Sequence, residues 1–295
     1  MILPSFVLPE RGKQFQLTSG MDSEKSCLDP KHFYSYPYSV SYQFNSRGFR
    51  DNEWPADIHN SIWCFGDSFT VGLGSPIEHT WCNILQLESK TRCINVSMDG
   101  ASNDWITRRV IEVLETISPK TMVIHWSFYF RHEDPDESKS DIERRVSHRV
   151  LPLAEEITRF FKLIDSIERA NKHTNIIYST IPGGTIFAAQ KTWDTLKGTS
   201  WPDTYPDTLE KFNALHMDII NELVRFNKYE DFLSNLGSAT KTISALISDS
   251  SSQYTMQVNN VRFIPEFEKL DLARDGFHYD KLTAKYFVDQ ILQLI

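Results

Sequence analysis

The chain has 295 residues and no long hydrophobic run; its apolar stretches fall far short of the ~20 residues that a membrane-spanning helix needs. It has no excess of basic charge. Lys and Arg number 31 against 39 Asp and Glu, so the formal net charge is -8. That balance disfavours a nucleic-acid partner, which usually requires a basic face. The start, Met1-Ile-Leu-Pro-Ser-Phe-Val-Leu-Pro-Glu10, lacks the basic opening and apolar stretch of a secretory signal. A cytoplasmic location is therefore expected, and the compact acidic character suits a microbial or viral protein, virion association included. Cysteine is scarce, with Cys27, Cys64, Cys82 and Cys93 alone. None forms a Cys-x-x-Cys pair, which excludes zinc-ribbon and thioredoxin-like sites. Cys64 lies in an apolar run and reads as a reduced core residue; a Cys82–Cys93 bridge is the minor alternative. His132, Glu133, Asp134 and Asp136 cluster locally but match no metal-binding motif, so no metal is expected. Gly72-Leu-Gly74 and Gly183-Gly184 lack the lysine of a phosphate loop and the dinucleotide fingerprint. No internal repeat is apparent, and no cofactor is implied.

What is present is an ordinary globular composition, 40% hydrophobic and 24% charged. Residues 1–60 are irregular and aromatic-rich, with Phe33, Tyr34, Tyr36, Tyr38, Tyr42 and Phe44. They read as an N-terminal arm laid on a core formed by residues 61–295. Alternation over Tyr38–Phe44 could support a short strand, followed by a turn at Asn45-Ser-Arg-Gly48. From Ser61 onward, strand-like runs at Ile62–Phe65, Cys93–Val96, Met122–Trp126, Ile176–Thr180 and Val261–Ile264 alternate with helical patterns. One pattern comprises Leu153, Ile157, Phe160, Phe161, Ile164 and Ile167; another runs from Leu282 to Ile295. Such alternation implies a parallel sheet covered on both faces, with ligands beyond the carboxyl ends of the strands. Residues 190–260 interrupt the rhythm. They hold an amphipathic stripe from Leu209 to Phe226, opened by a capping box at Asp207 and Glu210. This segment reads as a helical insertion, either packed on the core or acting as a lid.

The chemistry concentrates in two turns. Ser61-Ile-Trp-Cys-Phe-Gly-Asp-Ser-Phe-Thr70 reads as a buried strand that breaks at Gly66 and presents Ser68. A serine at the carboxyl end of a strand can act as a nucleophile, and backbone N–H groups at the turn can face an oxyanion. Far downstream lies Asp275-Gly-Phe-His278. In a turn, that spacing lets the carboxylate reach imidazole Nδ1, which leaves Nε2 to take a proton from the serine. Ser68, His278 and Asp275 are thus the candidate triad. Taken singly, each motif is more often an ordinary turn; together, and in this order, they favour the catalytic reading.

These segments resemble the SGNH, or GDSL-type, hydrolase family. Gly66-Asp67-Ser68-Phe69-Thr70 resembles its first block, Asn95-Val-Ser-Met-Asp-Gly100-Ala-Ser-Asn103 its second, and Asp275-Gly-Phe-His278 its last. Tyr42-Gln-Phe-Asn-Ser-Arg-Gly-Phe49 resembles a lead-in of some members. The resemblance implies a flavodoxin-like three-layer α/β/α sandwich with a central, mostly parallel five-stranded sheet. It implies ester hydrolysis, with the N–H groups of Ser68 and Gly100 in the oxyanion hole. The family's third block normally supplies an asparagine to that hole. Here the strand runs Met122-Val-Ile-His-Trp-Ser-Phe-Tyr-Phe-Arg131, without one. Loss of one such donor costs about 10²–10³ in rate. Candidate substitutes are Asn103, Ser127 and Arg131, the last two also as substrate-binding groups; Asn103 could equally be a helix cap.

Neighbouring residues have plainer roles. Asp67 is expected to hold loop backbone, and His125 to be a hydrogen-bonded interior residue. Trp126, Phe128, Tyr129 and Phe130 divide between pocket lining and core. Arg144, Arg145 and Arg149 belong to a charged run that suits a solvated helix face better than contact with an anionic or sugar substrate. The expected function is a serine esterase acting on a small-molecule or carbohydrate ester, such as an O-acetyl group. The rival is a weak or inactive binding or structural module on the same fold, and acyl transfer is a third reading. Oligomeric state is left open.

Overall fold

The computed structural model describes residues 22–128, 131–136, 138, 139, 144, 147, 148, 153–181, 262–264 and 267–295. The strands of the main sheet are β1 (Ile62–Gly66), β2 (Cys93–Ser97), β3 (Thr121–Trp126), β6 (Asn175–Thr180) and β7 (Arg262–Phe263). They lie in the order β2-β1-β3-β6-β7, and every pairing is parallel. Counting only these five strands, the order is 2-1-3-4-5, that of doubly wound flavodoxin-like sheets. The expected fold class is the observed one.

The layers follow from the two-residue period of a strand. Trp63 and Phe65 of β1 face one side, with Ile94, Val96, Met122 and Ile124 of its neighbours. There they meet Trp105, Val110 and Val113 of α4 (Asn103–Thr116), and Ile164 and Ile167 of α5 (Leu153–Ala170). Ile62 and Cys64 face the other side with Cys93, Val123 and Ile177. That side is covered by Trp81 and Leu85 of α3 (Trp81–Ser89) and by Phe287, Val288 and Ile291 of α6 (Lys281–Leu292). Because helices cover both faces, β1 and β2 are buried at every position; β1 begins with the apolar run Ile62–Phe65, and in β2 even Asn95 and Ser97 lie inside. Each fully buried aromatic or aliphatic side chain contributes roughly 1.5–3 kcal/mol.

Residues 22–60 form no strand ladder with the sheet. Over residues 38–44 there is no strand, contrary to the aromatic alternation. The regular element among the described residues 22–60 is a short helix, α1 (Pro30–Ser35), capped by Asp29, whose side chain accepts from Lys31 N. Leu28 N donates to Asp275 O at 2.9 Å, and Tyr36 Oη donates to Asp280 Oδ2 at 2.6 Å. Tyr42 Oη donates to Asp22 at 2.5 Å and accepts from Gly74 N at 2.8 Å.

All four cysteines are free and buried, as read for Cys64, and the minor alternative of a Cys82–Cys93 bridge is not formed. Within the charged run after β3, β4 (Arg131–His132) pairs antiparallel with β5 (Ser147–His148), and Arg144 between them is helical. The insertion at 190–260, together with Tyr129, Phe130, Arg145, Arg149 and Val261, lies outside the described residues. No helix among the described residues is long and apolar enough to cross a membrane.

Candidate active site

The first turn is built by close approach. β1 ends at Gly66, where a Cβ would lie 2.1 Å from Thr70 Oγ1 and 3.0 Å from the His125 carbonyl oxygen. The chain can turn this tightly only without a side chain. Asp67 then caps a four-residue helix, α2 (Ser68–Val71), its Oδ1 accepting from Phe69 N at 3.0 Å. Ser68 is thus the first residue of α2, two residues beyond the carboxyl end of β1. The helix closes at Gly72, whose N–H donates to Ser68 O at 2.9 Å.

Arg50 locks that short helix from below. The residue is 2% exposed, and its guanidinium donates to the main-chain oxygens of Val71 (3.1 Å), Gly72 (2.5 Å) and Ser75 (2.8 Å). A fourth bond reaches Ser41 O of the arm at 2.9 Å, and the guanidinium carbon lies 4.4 Å from the centroid of the Tyr42 ring. Burial lowers its pKa to about 10, which leaves it charged at neutral pH. A cation at the carboxyl end of α2 complements the exposed carbonyls there. Sequence reasoning missed this residue; the signal was its place directly after the Tyr42–Phe49 lead-in.

The second turn precedes α6. Asp275 Oδ1 accepts from Phe277 N (2.9 Å) and His278 N (3.0 Å), which orients the carboxylate. Its Oδ2 lies 2.5 Å from His278 Nδ1. A carboxylate only accepts, so Nδ1 carries the proton and Nε2 is the acceptor. Ser68 Oγ lies 2.8 Å from that Nε2. Burial opposes ionisation of Asp275, but the His278 charge and the hydrogen bonds outweigh it and hold the carboxyl below its usual range. The two turns touch: at Gly74 a Cβ would stand 2.9 Å from Ala273 Cβ and 3.1 Å from Asp275 Cγ. Ser68, His278 and Asp275 are 3%, 2% and 0% exposed, so their mutual bonds lie away from bulk water. Phe69, Phe128 and Phe277 pack around them, with Phe69 4.5 Å from the His278 ring.

The oxyanion candidates are placed unequally. Gly100 follows β2 in a turn closed by Ala101 N donating to Met98 O at 3.0 Å. Among the described residues, neither the Ser68 nor the Gly100 amide has an acceptor. Asn103 is fully buried and pairs with the main chain of Ser127: its Oδ1 accepts from Ser127 N (2.8 Å) and its Nδ2 donates to Ser127 O (3.2 Å). It therefore joins the start of α4 to the end of β3. The helix cap is Ser102, whose side chain accepts from Trp105 N at 3.2 Å. Ser127 Oγ donates to Asp67 Oδ2 at 2.6 Å, and Arg131 Nη1 donates to the same oxygen at 2.8 Å. Both candidates thus meet the residue before the serine.

No family model matches the sequence, and no curated protein matches it. Solved structures do. TesA is 15% identical, over 79% of this chain and 97% of its own, with a TM-score of 0.35. A family 3 carbohydrate esterase of Clostridium thermocellum is 12% identical over 79% and 94%, with a TM-score of 0.37. A GDSL-like lipase of Bacteroides thetaiotaomicron is 12% identical over 81% and 88%, with a TM-score of 0.34.

The remaining candidates are accounted for locally. His125 is wholly buried, with Nδ1 2.6 Å from Ser179 Oγ and Nε2 3.2 Å from Tyr279 Oη. Burial lowers its pKa to about 3, so it is neutral near pH 7. Trp126 is core, stacked on Tyr178. Glu133 pairs with Arg108 and Arg144, and Asp134 with Lys139. Among the described residues, no group of His, Cys, Asp and Glu suits a metal ion.

Proposed function

We propose that the chain is a serine esterase acting on a small-molecule or carbohydrate ester of a short acyl group, such as an O-acetyl group. Ser68 Oγ attacks the carbonyl carbon while its proton passes to His278 Nε2. The Asp275 carboxylate fixes the tautomer and stabilises the imidazolium that forms. The carbonyl electron pair moves onto oxygen, which the Ser68 and Gly100 amides receive. Collapse expels the alkoxide, protonated by His278, and leaves an acyl-serine. Water, deprotonated by the same imidazole, then releases the acid. No cofactor takes part in these steps. The observation that carries the reading is the continuous chain from Ser68 Oγ to His278 Nε2 (2.8 Å) and from Nδ1 to Asp275 (2.5 Å).

The rival, a weak or inactive module, draws on the missing third-block asparagine, since Asn103 and Ser127 Oγ are already hydrogen-bonded elsewhere. Hydrolysis of a short-chain aryl ester separates the two readings. The wild type turns it over, and Ser68→Ala loses the activity by about 10⁶. Equal rates in both would refute the assignment.

A further inference from the structure

Asp67 poses a problem for any reaction at Ser68. It is a carboxylate with no solvent exposure, one residue before the nucleophile. The tetrahedral intermediate places negative charge on an oxygen facing the Ser68 amide. A buried anion so near repels that charge, and in a poorly polarisable interior the repulsion is far stronger than in water. The same carboxylate attracts the His278 imidazolium, but Asp275 already serves that group at 2.5 Å.

The surroundings of Asp67 supply an answer. Oδ1 takes the Phe69 amide at 3.0 Å, and Oδ2 takes Ser127 Oγ at 2.6 Å; both are neutral donors. The cation bonded to it is Arg131, with Nη1 2.8 Å from Oδ2 and 3.0 Å from Ser127 Oγ. The Arg131 side chain is 16% exposed, and its guanidinium carbon lies 4.8 Å from the centroid of the Phe128 ring. Its main chain is held as well: Arg131 N donates to Phe128 O at 3.1 Å. Sequence places Arg131 in the segment where the resembled family carries its oxyanion asparagine.

We propose that Arg131 is a positioning residue for the reaction: it cancels the Asp67 charge and holds that carboxylate on the cap of α2, so that the oxyanion at Ser68 forms without an opposing anion. This rests on the esterase reading. It also gives a use to the third-block substitution, in which a cation acting through Asp67 stands where the family has a neutral donor.

The experiment compares wild type, Arg131→Met, Arg131→Lys and the double variant Asp67→Asn/Arg131→Met. The readouts are kcat and KM on a neutral short-chain aryl ester, fluorophosphonate labelling of Ser68, and the thermal midpoint. Arg131→Met is expected to lower kcat about 10²-fold with little change in KM, as loss of transition-state electrostatics does. Arg131→Lys keeps the charge and loses about tenfold or less. The double variant recovers at least tenfold over Arg131→Met, because the anion is gone along with its partner. A merely structural role would lower the thermal midpoint of Arg131→Met and restore it in the double variant, with turnover following the folded fraction, whereas the electrostatic role lowers kcat in protein that is fully folded at the assay temperature. Arg131→Met within threefold of wild type would overturn the proposal, as would a double variant no faster than the single. Should Arg131→Met fail to fold, the double variant decides: turnover within tenfold of wild type supports the proposal, and a deeper loss overturns it. A wild type that neither hydrolyses nor labels fails on the esterase reading and removes the proposal with it. A labelled wild type with an indifferent Arg131→Met fails on Arg131 alone.

Discussion

Two buried histidines within this fold each touch a serine, yet they are different chemical objects. His278 has Ser68 Oγ at 2.8 Å on one nitrogen and the Asp275 carboxylate at 2.5 Å on the other. His125 has Ser179 Oγ at 2.6 Å on one nitrogen and the Tyr279 hydroxyl at 3.2 Å on the other. Their exposures, 2% and 0%, hardly differ, and Tyr279 adjoins both. What separates them is a carboxylate. With one, imidazolium has a counter-ion and the ring can take a proton. Without one, burial alone decides, and the ring stays neutral far below pH 7. A Ser–His contact is therefore not by itself a catalytic signature; the third group makes it one.

The comparison can be broken most severely by removing that third group. Asp275→Asn keeps the shape of the turn and should lower kcat about 10⁴-fold, since the imidazole loses its tautomer and its counter-charge. Steady-state kinetics on the aryl ester measure this. A fall of less than tenfold would mean that His278 works without its partner.

The next effect concerns stability, and its sign follows from linkage. The folded pKa of His125 lies at about 3, below the ordinary 6.5. Between those values the unfolded chain binds the proton and the folded chain does not. This contribution to stability is therefore fully present above pH 6.5 and is lost as pH falls toward 3. Its slope is at most about 1.4 kcal/mol per pH unit. His125→Gln should flatten the dependence by about one proton when urea unfolding is compared at pH 4.5 and 7. An unchanged slope would mean that His125 is protonated in the fold.

The smallest effect sharpens the contrast between the two serines. Ser179→Ala should cost about 1 kcal/mol of stability, as one hydrogen bond does, and leave kcat/KM within twofold. Thermal unfolding and turnover, measured on the same sample, test it. A large loss of turnover would bring His125 into the mechanism.

How much of this could be read from the sequence depended on where each partner lay. β1, β2, β3 and β6 stood out because strands covered on both faces carry short apolar stretches, such as Ile62–Phe65 and Met122–Ile124, between helical patterns. Ser68, Asp275 and His278 stood out because each ends or follows a turn with its own local pattern. Arg50 did not, since it grips main-chain oxygens, which leave no mark on residue identity. Asn103 was recognised as belonging near the site, but its partner is the main chain of Ser127, 24 residues away, and the cap belongs to Ser102. The β4–β5 pair was hidden because two residues per strand cannot show a period. The alternating aromatics of Tyr38–Phe44 misled because alternation reports which side chains are buried, while a strand also needs a neighbouring chain to pair with. In the arm, Tyr42 instead spends its hydroxyl on Asp22 and Gly74.

The central claim is that the Asp275-backed imidazole makes Ser68, and not Ser179, a nucleophile. Treatment of the full chain with a fluorophosphonate, followed by peptide mass mapping, tests it directly. One adduct is expected, on Ser68, formed quickly in the wild type and slowed at least 10²-fold in Asp275→Asn. An unlabelled Ser68 in folded protein, or labelling at equal rates in both proteins, would contradict it.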